Sequence, residues 1–230
     1  LDIVQDDRYA RIYVSVKPRR VVPLVVRYVE QTRNFRILLS GAELRQAISL
    51  ANEILEPQSN VRIELVADSV LRFEEIGRRV GRVVDGEEFV YLGKFNRDGN
   101  YPQEQFARMV PMINVYVVRA IKSNERHVTI RGWANSDANT ILLDDRSIGR
   151  RTNVRAVGRT LAHEVGHLLL RDFYDGWKQF AVNIGHNPFG DALMYESSAK
   201  GGSRLYRAEI EQLNPFSGVL PPHYDPSVFT

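Results

Sequence analysis

Residues 152–170 read TNVRAVGRTLAHEVGHLLL, and this segment contains an H-E-x-x-H motif, His163-Glu164-Val165-Gly166-His167. Its apolar residues recur at helical spacing, which predicts a long amphipathic helix. Positions four apart on a helix differ by about 40° in direction, so the two imidazoles point the same way and can share one metal ion. Glu164 lies on a neighbouring stripe, where a carboxylate can take a proton from water that the metal activates.

Short H-E-x-x-H strings also arise by chance in helical segments, so the flanking residues matter. Val165 and residues 168–170 are apolar, which indicates a helix of the core. Burying an unpaired His-Glu-His face would be costly unless something binds it. We therefore expect a metal site with Zn²⁺ as the cofactor and Glu164 as the catalytic residue.

The composition limits which residues can complete such a site. The chain has 230 residues, five histidines and no cysteine, which excludes disulfides, thiolate nucleophiles and Fe–S clusters. A catalytic zinc usually has three protein ligands and one open position, so a third ligand is needed. The candidates are a histidine and four acids, whereas His127 and His223 lie in unpromising contexts. These candidates are Asp172, Asp175, His186, Glu196 and Glu209.

The segment from Gly185 to Tyr195 resembles the end of the zinc site in the metzincin clan of metalloproteases. In its matrix-metalloproteinase-like members, a Gly-His pair is followed eight residues later by the Met of the Met-turn. His186 and Met194 are likewise eight residues apart, and Met194 stands in Ala-Leu-Met-Tyr. The resemblance covers residues 22–215, and it implies that His163, His167 and His186 bind Zn²⁺. It also implies that Met194 packs beneath the metal without binding it.

The spacing of the third ligand departs from the family pattern. The family has Gly three residues after the second His, and the third ligand three residues further on, where this chain has Leu170 and Phe173. His186 follows His167 by 19 residues instead of six, an insertion of 13. Without the glycine, we predict that the helix runs on to residue 175 and that a loop then returns to deliver His186. Asp172 and Asp175 remain the alternative third ligands.

The order of elements predicts a mixed α/β (α+β) fold. Strands are predicted at 12–16, 21–29, 61–65, 113–118 and 138–143, with a hairpin at 83–91. Helices are predicted from the capping box at Ser40 to Pro57, at 102–109, at 152–170 and at 203–213. The resemblance implies a twisted mixed sheet, two long helices and a smaller irregular C-terminal subdomain. We expect one metalloprotease domain over 1–230, with an N-terminal extension at 1–20 and subdomains at 21–176 and 177–230.

Together these features predict a zinc-dependent endopeptidase that hydrolyses peptide bonds with metal-activated water. The resemblance implies that extended substrate pairs with an edge strand, which we assign to the predicted strand at 138–143. The substrate-binding residues would be Asn139, Thr140, Ile141 and Leu142. Tyr195, which directly follows Met194, would line the primary specificity pocket.

Two other functions remain open. One is a SprT-like DNA-associated metalloprotease, which also has a widely spaced third His, although the Ala-Leu-Met-Tyr segment argues against it. The other is a non-catalytic module with a closed structural zinc site. The net charge is +3, and clustered arginines are interleaved with acids as on a solvated face, so we do not expect nucleic-acid binding. No apolar run is long enough to span a membrane, and we expect a monomer. The resemblance favours a secreted or exported protein.

Overall fold

The computed structural model describes residues 2–5, 8–11, 17–30, 37–71, 112–118, 121, 130–135, 139–145, 153–170, 186–195 and 201–214. The elements in chain order are β1 Asp2–Gln5, β2 Arg8–Arg11, β3 Arg20–Val29, α1 Gly41–Ser59, β4 Val61–Leu71, β5 Ile113–Val118, β6 Gly132–Asn135, β7 Thr140–Asp144, α2 Val154–Leu169 and α3 Arg207–Leu213. The strand predicted at 12–16, the hairpin at 83–91 and the helix at 102–109 lie outside the described residues. None of the described helices is long and apolar enough to cross a membrane.

Five strands form one sheet in the order β4-β3-β5-β7-β6. The first four are parallel, and β6 runs antiparallel to β7 at the edge. The strands β1 and β2 form a separate antiparallel pair. Every residue from Val22 to Val29 of β3 is buried, which is typical of a parallel strand inside a sheet. The predicted mixed α/β class is therefore confirmed.

The helix α1 begins as its capping box predicts. Ser40 Oγ accepts a hydrogen bond from the Glu43 backbone N–H at 3.3 Å, and the Glu43 carboxylate accepts one from the Ser40 N–H at 2.8 Å. The prediction that Pro57 stops this helix is wrong by two residues, since α1 continues to Ser59. A proline in the last turn removes one backbone hydrogen bond, and the helix ends where Asn60 adopts a left-handed conformation with φ of 56°.

Both long helices pack against the same face of the sheet and share one hydrophobic core with it. They meet at Gly158, where a Cβ atom would lie 2.6 Å from the Ala47 carbonyl oxygen, so only glycine permits this approach. The side chain of Asn52 joins α1 to β4, because it donates to the Ile63 carbonyl at 2.9 Å and accepts from the Ile63 N–H at 2.7 Å. These contacts fix the position of α2, the helix that carries the H-E-x-x-H motif.

Two sequence predictions about the surroundings of α2 are wrong. The strand predicted at 138–143 exists as β7, but it is hydrogen-bonded on both sides and is not an edge. Among the described strands, the outermost on this side is β6, which the sequence analysis did not identify. The helix α2 does not run on to residue 175, because it ends at Leu169. The Leu170 N–H still donates to the Gly166 carbonyl at 2.8 Å, but with φ of −102° and ψ of 10° this buried residue leaves the helical conformation.

Candidate metal centre

The helix α2 presents the two histidines and the glutamate of the motif toward the protein interior. Asn153 caps its N-terminus, where the Asn153 side-chain oxygen accepts from the Ala156 N–H at 3.1 Å. His163 and Glu164 are buried, and His167 is half-buried. The Nε2 atoms of His163 and His167 are 3.1 Å apart, and their rings are nearly perpendicular. The i, i+4 spacing thus brings both ring nitrogens to one point, as predicted from the sequence.

The tautomer of His163 is determined by a backbone carbonyl. His163 Nδ1 lies 2.7 Å from the Leu193 carbonyl oxygen, which can only accept, so the proton resides on Nδ1. The Nε2 lone pair of the neutral ring is then available to a metal ion. Burial lowers the pKa of His163 to about 4, although the hydrogen bond to Leu193 acts in the opposite direction. Burial also lowers the pKa of His167 well below its usual value. Both rings are therefore neutral at pH 7, as metal ligands must be.

His186 joins these two residues from a different part of the chain. Its ring lies nearly parallel to that of His163, with centroids 5.5 Å apart, and nearly perpendicular to that of His167, with centroids 4.8 Å apart. One nitrogen from each ring lies within 4.8 Å of the other two. The structure thus brings together the three histidines proposed as ligands. Asp172, Asp175 and Glu196 lie outside the described residues, as do His127 and His223.

The three imidazoles fit a zinc ion. Tetrahedral zinc with bonds of about 2.0–2.1 Å holds two ligand nitrogens about 3.3 Å apart, close to the 3.1 Å observed between His163 and His167. Within the described residues the group consists of three histidines, which is the number of protein ligands usual in catalytic zinc sites.

The side chain of Glu164 is buried where α2 packs against β6. Burial raises the pKa of Glu164 to about 8, and a hydrogen bond from the Ala134 backbone partly opposes this rise. The side chain is also in tight contact with β6, because a Cβ atom on Gly132 would lie 2.5 Å from Glu164 Oε1. The edge strand therefore positions the carboxylate on one side, and α2 does so on the other.

Met194 lies in the core and packs against α2 at Gly166. Glu164 packs against β6 on the opposite side of the same helix. Its side chain is fully buried, and a Cβ atom on Gly166 would overlap Met194 Sδ. The preceding residue, Leu193, accepts the hydrogen bond from His163 and donates its N–H to the Arg204 carbonyl at 2.7 Å. The segment around Met194 thus supports the first histidine through a backbone carbonyl.

Arg159 connects this segment to α2 one turn before His163. Its Nε donates to the Gly202 carbonyl at 2.7 Å, and Nη2 lies 3.4 Å from the Leu193 carbonyl oxygen. Burial lowers the pKa of Arg159. The guanidinium therefore ties residues 193 and 202 to the same helix that carries the ligands.

The substrate-binding residues predicted from the sequence lie in two places. Thr140, Ile141 and Leu142 are buried in β7, and the Asn139 carbonyl accepts from the Asn114 N–H at 2.9 Å. The backbone of β7 pairs with β5 on one side and with β6 on the other. These residues therefore do not lie on an edge strand, which is what their assignment assumed. Tyr195 follows Met194 and is half-buried, and its role in the specificity pocket stays a prediction.

Sequence reasoning missed the contribution of β6 and of Gly166. In each case the sequence contains an isolated glycine, and an isolated glycine in a strand or helix often marks the close approach of another group. Gly132 accommodates Glu164, and Gly166 accommodates Met194. The sequence analysis also considered Glu209 only as a possible metal ligand. In the structure, Glu209 lies in α3, and its carboxylate accepts from the Asn187 side chain at 2.9 Å.

Solved structures with a similar fold include a zinc-dependent peptidase and a metalloproteinase. The chain is similar to a zinc-dependent peptidase from Methanocorpusculum labreanum, with a TM-score of 0.51 and 13% identity over 83% of this chain and 100% of the other. It is also similar to metalloproteinase-II from Bacteroides fragilis, with a TM-score of 0.50 and 9% identity. That match covers 87% of this chain but only 54% of the other. No protein-family model and no curated protein matches the sequence. The fold is thus similar to that of zinc peptidases, and the three histidines fit zinc.

Proposed function

We propose that this chain is a zinc-dependent endopeptidase. The observation that carries the proposal is the convergence of three histidine nitrogens within 4.8 Å of one another, beside a buried glutamate from the same helix. His163, His167 and His186 would hold the ion, and Glu164 would act as the general base. The similar folds of a zinc-dependent peptidase and of a metalloproteinase support this proposal, but the proposal rests on the site.

Bound zinc would supply Lewis acidity at this site, which would lower the pKa of water to about 7 and polarise a carbonyl oxygen. Glu164 then needs an ionised carboxylate to accept the proton of the attacking water and pass it to the leaving amine. Burial opposes ionisation, whereas the Ala134 hydrogen bond favours it. Gly132 of β6 lies against the carboxylate and limits its movement on that side.

Extended peptide substrate would bind along β6, which is the outermost strand on this side of the described sheet. A substrate strand that adds to a sheet edge gains main-chain hydrogen bonds that do not depend on sequence. Since the Ala134 backbone and Gly132 both contact Glu164, a peptide on β6 would bring its scissile bond close to the general base. Met194 would support the site by packing beneath the metal without binding it, as the metzincin resemblance implies.

The test uses Glu164→Gln, which keeps the shape of the side chain and one acceptor oxygen for the Ala134 N–H. The variant should keep stoichiometric zinc, because Glu164 is not a proposed ligand, and should lose about 10²–10⁴-fold in kcat. The substrates are an unfolded protein and peptides blocked at both termini, which only an endopeptidase can cleave. Glu43→Gln in the capping box of α1 is the matched control, and it should cleave like wild type. Cleavage by Glu164→Gln at the wild-type rate would refute the mechanism.

A further inference from the structure

The third histidine differs from the other two in how it is held. His163 and His167 belong to α2, whereas His186 lies outside any helix or strand. The next residue, Asn187, anchors the segment. Its N–H donates to the Met194 carbonyl at 2.8 Å, and its side-chain oxygen accepts from the Phe189 N–H at 3.0 Å. The hydrogen bonds of Asn187 therefore help to determine where His186 is presented.

The amide nitrogen of the same side chain is bound by a buried carboxylate. Asn187 Nδ2 donates to Glu209 Oε1 at 2.9 Å, and the Tyr206 backbone N–H donates to Glu209 Oε2 at 2.7 Å. Glu209 is only 1% exposed, so its two oxygens depend on such donors. Hydrogen bonds to a charged group are roughly twice as strong as neutral ones. Glu209 thus links the segment that follows His186 to the first turn of α3.

We infer that Glu209 is a positioning residue for the third zinc ligand and acts through Asn187. Because this role has meaning only at a zinc site, it rests on the proposed function. Groups that orient metal ligands typically contribute about 10–100-fold to metal affinity. The effect should be concentrated on His186, since the helix backbone and the Leu193 carbonyl hold His163 independently of Glu209.

The experiment measures the zinc dissociation constant of the purified chain by competition with a chromophoric chelator. Glu209→Ala and Asn187→Ala should each weaken zinc binding by about 10–100-fold. Glu209→Gln should lose less, because one oxygen remains as an acceptor. Glu43→Ala is the matched control, since Glu43 occupies the same capping position in α1 without contacting the site, and its zinc affinity should equal that of wild type. Asn187→Ala leaves the cap of α3 intact, so it reports on the site even if Glu209→Ala unfolds the helix.

A double-mutant cycle separates positioning from general destabilisation. In a His186→Ala background, Glu209→Ala should cause no further loss of zinc affinity, because the ligand through which it acts is gone. The Co²⁺ spectrum of Glu209→Ala should shift toward that of His186→Ala. An equal loss of affinity in both backgrounds would overturn the inference, as would unchanged zinc binding by Glu209→Ala and Asn187→Ala. Failure of the wild-type chain to bind zinc would instead refute the proposed function.

Discussion

Gly132→Ala should reduce catalysis by misplacing Glu164 without removing any proposed ligand. Gly132 lies on β6, and a Cβ atom there would be 2.5 Å from Glu164 Oε1, 2.6 Å from Cγ and 2.8 Å from Cδ. All three atoms belong to the side chain proposed as the general base. The substitution thus acts on one functional group while leaving His163 and His167 unchanged.

The size of the displacement follows from these distances. To move from 2.5 Å to the 3.4 Å of an ordinary van der Waals contact, the carboxylate and the new methyl group must separate by about 0.9 Å. A misplacement of about 1 Å at a reacting group costs about 100-fold in rate, or about 2.7 kcal/mol of transition-state stabilisation. Overpacking alone costs about 1–3 kcal/mol of folding stability, and the lower chain entropy of alanine offsets about 0.5–1 kcal/mol of it. The folded protein should therefore persist with impaired chemistry.

The assay is steady-state cleavage of a doubly blocked peptide by zinc-loaded protein, together with zinc content and the urea unfolding curve. The loss should fall mainly on kcat, since the perturbed group acts in the transition state. Gly190→Ala is the control, because Gly190 lies four residues after His186 and a Cβ atom there meets nothing within 4 Å. That variant should match wild type. A Gly132→Ala protein with wild-type kcat would refute the assignment of Glu164, and one that lacks zinc would show that β6 supports the ligands instead.

Two further substitutions test contacts that hold the site in the core. Gly166→Ala should cost about 1–3 kcal/mol in the free energy of urea unfolding, because the new methyl group would overlap Met194 Sδ. An unchanged midpoint would mean that Met194 moves aside freely. Asn52→Ala should cost about 2–4 kcal/mol, since the backbone N–H and carbonyl of Ile63 both lose a buried partner. Differential scanning calorimetry measures this loss, and a change below about 0.5 kcal/mol would show that other groups satisfy Ile63.

The sequence predicted the features that depend on local spacing. The capping box at Ser40 and Glu43 forms as predicted, because its partners are three residues apart. The convergence of His163 and His167 follows in the same way from the helical period. The prediction of His186 needed more than spacing. It depended on the resemblance of the segment ending in Ala-Leu-Met-Tyr, and the structure places His186 beside the other two histidines.

The features that sequence reasoning missed are those that depend on strand order. The strand at 138–143 was assigned as the substrate-facing edge from the order of elements, but whether a strand is an edge depends on where its neighbours lie. β6 has only four residues, Gly132–Asn135, with no clear alternation of polar and apolar side chains, so it left little signal. Sequence distance is also a poor guide to the role of an acid. Glu209 was considered as a ligand, yet its carboxylate binds the neighbour of a ligand.

The two histidines on α2 are held differently from His186, and we therefore expect the site to vary around His186. His163 and His167 are tied to a helix that is buried against both α1 and the sheet, so any change that moves them must also disturb the core. His186 is held by Asn187 and, through it, by α3. The spacing from His167 to His186 is also 13 residues longer than in the metzincin motif that the sequence resembles. Added chain length costs little free energy when the segment that follows it is anchored independently. The anchoring of Asn187 by Glu209 thus explains how a distant third histidine can still reach a site built on α2.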